Sequence, residues 1–147
     1  METAKQVLDR NIAAVNARDL SALLANQSPD IEFVLPGGVT LRGREQVGQY
    51  TAAMWTALWT AFPDGRLTAG EQVLSDDAAA TELVFAGTHA GPLQTPNGPL
   101  PPTGKPVTLH SVSIHRFEDG LIASEHVYLD QLEVMTQLGL SGAPTAA

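Results

Sequence analysis

Asp119-Gly120 stands between two long runs of strand-type residues, 105–117 and 121–132, and no other feature restricts the fold of the chain as much. An Asp-Gly step tolerates the positive φ angles of a tight hairpin loop, so the two runs are expected to pair antiparallel. A two-residue loop without a bulge sets Phe117 opposite Ile122, His115 opposite Ser124, Ser113 opposite His126, Ser111 opposite Tyr128 and Leu109 opposite Asp130. Directly opposed residues share a sheet face, and alternate residues along each strand join them. One face is therefore expected to gather Ser111, Ser113, His115, His126, Tyr128 and Asp130 between apolar ends at Phe117 and Ile122. The other gathers His110, Val112, Ile114, Arg116, Glu125, Val127 and Leu129, a mainly aliphatic row with a diagonal Arg116/Glu125 pair.

Upstream the pattern is helical. Ala4, Leu8, Ile12 and Val15 predict one helix over 3–18, and Asp19 is placed to cap a short second one through Leu24. Ser28-Pro29-Asp30 should end it, with a strand over 31–35 and a short return over 39–41 around Pro36-Gly37-Gly38. Val47, Thr51, Met54, Trp55, Leu58 and Phe62 share a face of a longer helix over 44–62, which Pro63 stops. Strands are then expected over 66–74 and 79–88, followed by a Pro- and Gly-rich loop over 90–104 whose length suits a lid or rim. Helices followed by a curved antiparallel sheet make an α+β domain over 1–140, with 141–147 a disordered tail. A bent sheet covered by helices encloses a cone, and the mouth of a cone is a natural pocket.

Composition narrows the function. The formal charge is −8 and the eight basic residues are scattered, which argues against nucleic acid as a partner. The chain has no cysteine, so thiol chemistry and disulfides are excluded. No apolar run approaches the ~18 residues of a membrane span, and the amphipathic, acid-bearing start is unlike a signal peptide; the expectation is a cytoplasmic protein. His89, His110, His115 and His126 lie on different elements without metal-ligand spacing, and no Gly-rich phosphate loop or Gly-x-Ser-x-Gly elbow is present. Neither a metal nor an organic cofactor is expected.

Several segments then resemble one family. They are Ala17-Arg18-Asp19-Leu20, Leu41-Arg42-Gly43-Arg44-Glu45, Ala61-Phe62-Pro63-Asp64 and Gly87-Thr88-His89-Ala90-Gly91 in the first part of the chain. Pro101-Pro102-Thr103-Gly104-Lys105, Phe117-Glu118-Asp119-Gly120-Leu121-Ile122, Asp130-Gln131-Leu132 and Gln137-Leu138-Gly139 follow. Together they resemble the SnoaL-like polyketide cyclases, of the nuclear-transport-factor-2-like cone fold, over about residues 3–140. The resemblance implies an intramolecular aldol closure of a polyketide ester without cofactor. It implies an aspartate at the end of the last long strand as general acid/base, which Asp130 matches, and an assisting histidine on the sheet. His115 fits that role better than His110, and His126 is a further candidate. The family's stereochemistry-directing positions fall near Asn16 and Met54-Trp55, and a Met-Trp pair makes a more apolar wall. A homodimer through the outer sheet face is also implied.

The expected site thus has Asp130 and His115 as catalytic groups. His126, Tyr128, Ser111, Ser113, His89, Met54, Trp55, Leu58 and Phe117 are expected around a bulky, apolar carbonyl or ester substrate. Desolvation by Met54, Trp55, Leu58, Phe62 and Phe117 would make the Asp130 carboxylate more basic, and His115 or Tyr128 would stabilise the enolate oxygen. Two alternatives use the same fold. One is a non-catalytic small-molecule binding or dimerising domain, in which Asp130 is taken up by a structural partner. The other is epoxide hydrolysis, which needs an Asp–Arg–Asp set and hence Arg116 beside Asp130.

Overall fold

The computed structural model describes residues 3–140, so the expected tail over 141–147 lies outside the described residues. Helix α1 (Ala4–Ala17) starts with a reciprocal capping box. The Thr3 hydroxyl accepts the Gln6 amide, and the Gln6 side chain accepts the Thr3 amide. The helix buries Val7, Leu8 and Ala14, so its inward face is rotated from the expected Ala4, Leu8, Ile12, Val15 series. Asp19 caps α2 (Leu20–Ala25) on the Ala22 amide, as its position predicts. Strand β1 (Gln27–Val34) then runs through Ser28-Pro29-Asp30 instead of starting after it. Its pairing breaks register between Gln27 and Glu32, and that irregularity is where a proline can sit within a strand.

Strand β2 (Thr40–Arg42) and helix α3 (Arg44–Ala61) follow. Val47, Thr51, Trp55 and Phe62 are buried, but Met54 is turned outward and 37% exposed. Strands β3 (Arg66–Leu74) and β4 (Ala78–Thr88) form the next antiparallel pair. The Pro-rich segment folds into a separate hairpin, β5 (Leu93–Thr95) and β6 (Gly98–Leu100), outside the main sheet. Its start is moored on the end of α3, where the Ala90 and Gly91 amides both donate to the Ala61 carbonyl. A Cβ at Gly91 would lie 1.9 Å from the Thr60 carbonyl oxygen, so only glycine fits that approach.

Strands β7 (Pro106–Glu118) and β8 (Leu121–Leu129) complete a six-stranded sheet in the order β2-β1-β8-β7-β4-β3. Adjacent strands are antiparallel except β1 and β8, which run parallel, a correction to the wholly antiparallel expectation. Three apolar clusters form the core. One joins Val7, Ile31, Val47 and Ile122; a second joins Ala14, Leu23 and Trp55 between the helices; a third gathers Ala61, Phe62, Phe85, Val107 and Leu138. Among the described residues, no helix is long and apolar enough to cross a membrane.

The hairpin loop forms as the Asp-Gly step predicts, with φ of 51° at Asp119 and 76° at Gly120. Phe117 pairs with Ile122, but Arg116 pairs with Ser124, so Ala123 is an extra residue on β8. A bulge of one residue reverses the side-chain alternation beyond it. His115 therefore faces Glu125, Ser113 faces Val127 and Ser111 faces Leu129 across the inner face. His126 and Tyr128 move to the outer face, opposite Ile114 and Val112. Their expected place on the inner face is corrected by this bulge, and the same alternation takes Asp130, one residue beyond inner-facing Leu129, out of that row.

Candidate functional site

Strand β8 stops short of where the sequence pattern suggested. The chain turns at Asp130 and enters helix α4 (Gln131–Gln137), with Asp130 as its N-cap and Oδ1 accepting the Leu132 amide at 2.9 Å. The expected strand over 121–132 is thus a strand to Leu129, the N-cap Asp130 and the first two residues of α4. Strand β7 begins well before the stretch that β8 pairs, and the side chains of α4 fill the gap. Gln137 accepts the Thr108 amide and donates to the Thr108 carbonyl, both at 2.7 Å. Glu133 Oε1 accepts the His110 amide at 3.2 Å and lies 2.6 Å from His110 Nδ1.

This placement of α4 closes one side of a cavity of about 420 Å³. Leu58 and Phe62 of α3, Phe85 of β4, and Val107 and Leu109 of β7 form its floor and far wall. Leu129, Gln131, Val134 and Met135 form the α4 side, and residues 93–96 of the β5 hairpin form the rim. Among the described residues its polar side chains are Gln94, Thr95 and Gln131, and no charged side chain lines it. The loop expected to act as a lid or rim thus supplies part of the wall. Asp130 is exposed and follows wall residue Leu129 directly. Among the described residues its second oxygen, Oδ2, has no hydrogen-bond partner.

The other expected site residues are scattered. Of the apolar wall, Leu58 lines the cavity; Met54 points outward, Trp55 is in the helical core, and Phe117 packs against the Val7 cluster at the other end. Asn16 is consumed by edge strand β3, donating to the Leu67 carbonyl and accepting the Leu67 amide, both at 2.8 Å. His89 is fully buried behind Phe62, with ring centroids 5.8 Å apart, and its Nδ1 accepts the Thr103 amide. It therefore fastens the base of the 90–104 loop and lies outside the cavity wall. Ser111 and Ser113 follow Leu109 along the inner face of β7.

His115 lies deep on the same inner face, 3% exposed, with Nε2 3.1 Å from Glu125 Oε1. The carboxylate lies within ion-pair range but off the direction of the ring N–H, so neither ring nitrogen makes a hydrogen bond among the described residues. Asp130 follows Glu125 by five residues on β8, and Glu125 is the partner of His115. At ~3.3 Å per residue, Asp130 and His115 are about 16 Å apart along the sheet. The two groups cannot act on one carbonyl. Arg116 is exposed on the outer face opposite Ser124, away from Asp130.

Two other titratable groups are perturbed. The Thr88 amide and hydroxyl donate to the Asp64 carboxylate at 2.7 and 2.8 Å, which holds its carboxyl below the usual range. Burial pushes the Tyr50 phenol up. Among the described residues no group of three or more His, Cys, Asp or Glu side chains could hold a metal ion.

The sequence profile of the SnoaL-like polyketide cyclases matches residues 5–138. The chain belongs to that family. Among solved structures, IdmH from Streptomyces antibioticus, a candidate polyketide cyclase, is 28% identical with a TM-score of 0.77, covering 92% of this chain and 97% of its own. TsrD from Streptomyces laurentii is 27% identical with a TM-score of 0.74, over 93% and 95%. AclR from Streptomyces galilaeus, a candidate hydroxylase, is 24% identical with a TM-score of 0.78, over 96% and 84%, a likeness of fold alone. Among curated proteins none matches the chain. The SnoaL-like assignment accounts for the cone of helices and curved sheet around the cavity.

Proposed function

We propose that this SnoaL-like protein is a cofactor-independent enzyme that moves a proton on a bulky, apolar carbonyl or ester substrate, closing a ring by intramolecular aldol addition or a related step. One observation carries the reading: a cavity with uncharged, largely apolar walls is lined by Leu129 and Gln131, the two neighbours of the exposed Asp130, whose Oδ2 is unpartnered among the described residues. Asp130 takes the proton from the carbon next to the substrate carbonyl. The resulting enolate carbon attacks a second carbonyl of the same molecule, and the proton returns from Asp130 to the new alkoxide, so the step balances without a co-reactant. Gln131, Thr95 and Gln94 are the wall groups able to hydrogen-bond the enolate oxygen. With His115 about 16 Å away, this role falls to them.

Asp130→Asn tests the assignment, because asparagine caps a helix about as well as aspartate. Turnover of an aromatic keto ester should fall by about 10²- to 10⁴-fold with its affinity unchanged. Equal turnover would end the acid/base role. A second reading, a non-catalytic small-molecule binding domain, is favoured by the Leu132 amide on Asp130 Oδ1, a structural use of the same carboxylate. It predicts ligand binding without turnover in both proteins.

A homodimer through the outer sheet face forms part of the same proposal. Val112, Ile114 and Tyr128 stand there 38%, 37% and 56% exposed, a run of apolar surface that a second copy would cover. Ile114→Asp should convert a dimer to a monomer in sedimentation; a wild-type protein that sediments as a monomer would refute it.

A further inference from the structure

We infer that the substrate cavity continues across Met135 into a second compartment, so that the protein takes an elongated molecule with its ring system in the first space and an uncharged, apolar arm in the second. This continuation depends on the cavity being the substrate site, as proposed above, and not on Asp130 as the acid/base. The second compartment has a volume of about 390 Å³ and lies between α4 and the β5–β6 hairpin. Thr95, Pro96 and Met135 line both spaces, so the two share one wall. Beyond that wall stand Pro99, Leu100, Leu132 and Leu140, with Asn97 as a polar side chain and, among the described residues, no charged one. A charge on the arm would be left there without a partner, which is costly, whereas an alkyl or aryl arm fits.

Helix α4 explains why the wall is shared. Residues three and four apart lie on one side of a helix. Gln131, Val134 and Met135 follow that spacing along the first cavity, and Leu132 and Met135 follow it along the second. Met135, half-buried, is thus the ridge between the two stripes. The hold of α4 on β7 is polar, through Gln137 and Glu133, and its apolar side chains are left to the two spaces. Leu132 and Leu140 stand 52% and 44% exposed at the second. Single exposed leucines are ordinary, but these two converge on one concave space beside a larger apolar one, and a ligand arm there would cover them. The ridge itself can give way. Methionine is unbranched, turns about several side-chain bonds and adapts to what lies against it, whereas a β-branched residue would make a fixed wall.

Calorimetric binding of aryl alkyl ketones to the intact protein, from the ethyl to the decyl member, tests the continuation. Affinity should rise by up to about fourfold for each methylene once the arm passes Met135, the gain expected from burying that group. Leu132→Ser combined with Leu140→Ser should flatten the rise while the ethyl ketone binds as it does to the wild type, since exposed positions tolerate substitution. An equally steep rise in the folded double variant, as partitioning onto general apolar surface would give, would overturn the inference. So would a wild-type affinity that stops rising once the first cavity is full. In both cases binding of the ethyl ketone leaves the cavity reading standing. If no member of the series binds, the cavity reading and the continuation fail together. If the double variant does not fold, Leu132→Ser alone serves for the comparison.

Discussion

At position 130 one carboxylate meets two demands. Its Oδ1 ends the sheet and begins α4 by accepting the Leu132 amide, while Oδ2 is left for the proton transfer proposed here. The variants separate the two. Asp130→Ala removes both and should lose about 1 kcal/mol in denaturant unfolding, whereas Asp130→Asn keeps the cap and should lose little stability. The turn into α4 was legible in Asp130-Gln131-Leu132-Glu133, since an N-cap residue with Glu three positions on is a helix-start signature. The apolar alternation before it suggested a continuing strand. In the fold Glu133 turns to His110 of β7 and does not complete the capping box.

Among elements, α4 and the β7–β8 hairpin shape the site. The helix is tied through Gln137 and Glu133 to the end of β7 that β4 pairs and β8 does not, and its Val134 and Met135 close the cavity. Gln137→Ala removes two backbone contacts at Thr108, which β8 does not pair. It should lower stability by about 1–2 kcal/mol in denaturant unfolding, and it should weaken ligand binding more than a surface alanine elsewhere. The hairpin shows where sequence reading stops. The limits of β3 and β4 and the Asp119-Gly120 loop followed from residue types to within a residue, but a bulge at Ala123 depends on sheet curvature that no local residue pattern specifies. That one residue exchanged His126, Tyr128 and Asp130 for Glu125, Val127 and Leu129 in the inner-facing row.

For the whole molecule, the order of helices, strands and Pro-rich loop was enough to predict an α+β cone, and the family match agrees with it. Which residues meet inside the cone was less legible, because burial depends on packing between distant segments. Leu58 reached the cavity, while Met54 on the same helix is turned outward and Asn16 is held by β3. The inner face is also longer than one site: the cavity lies toward Asp130, and the His115–Glu125 pair lies about 16 Å away along the strands. The most direct measurement is therefore a crystal structure of the protein soaked with an aromatic keto ester. The expected density fills the cavity between Leu58, Leu109 and Val134, with the acidic carbon within about 3.5 Å of Asp130 Oδ2. Density that places that carbon beyond reach of Asp130, or at the His115–Glu125 pair instead, would contradict Asp130 as the acid/base.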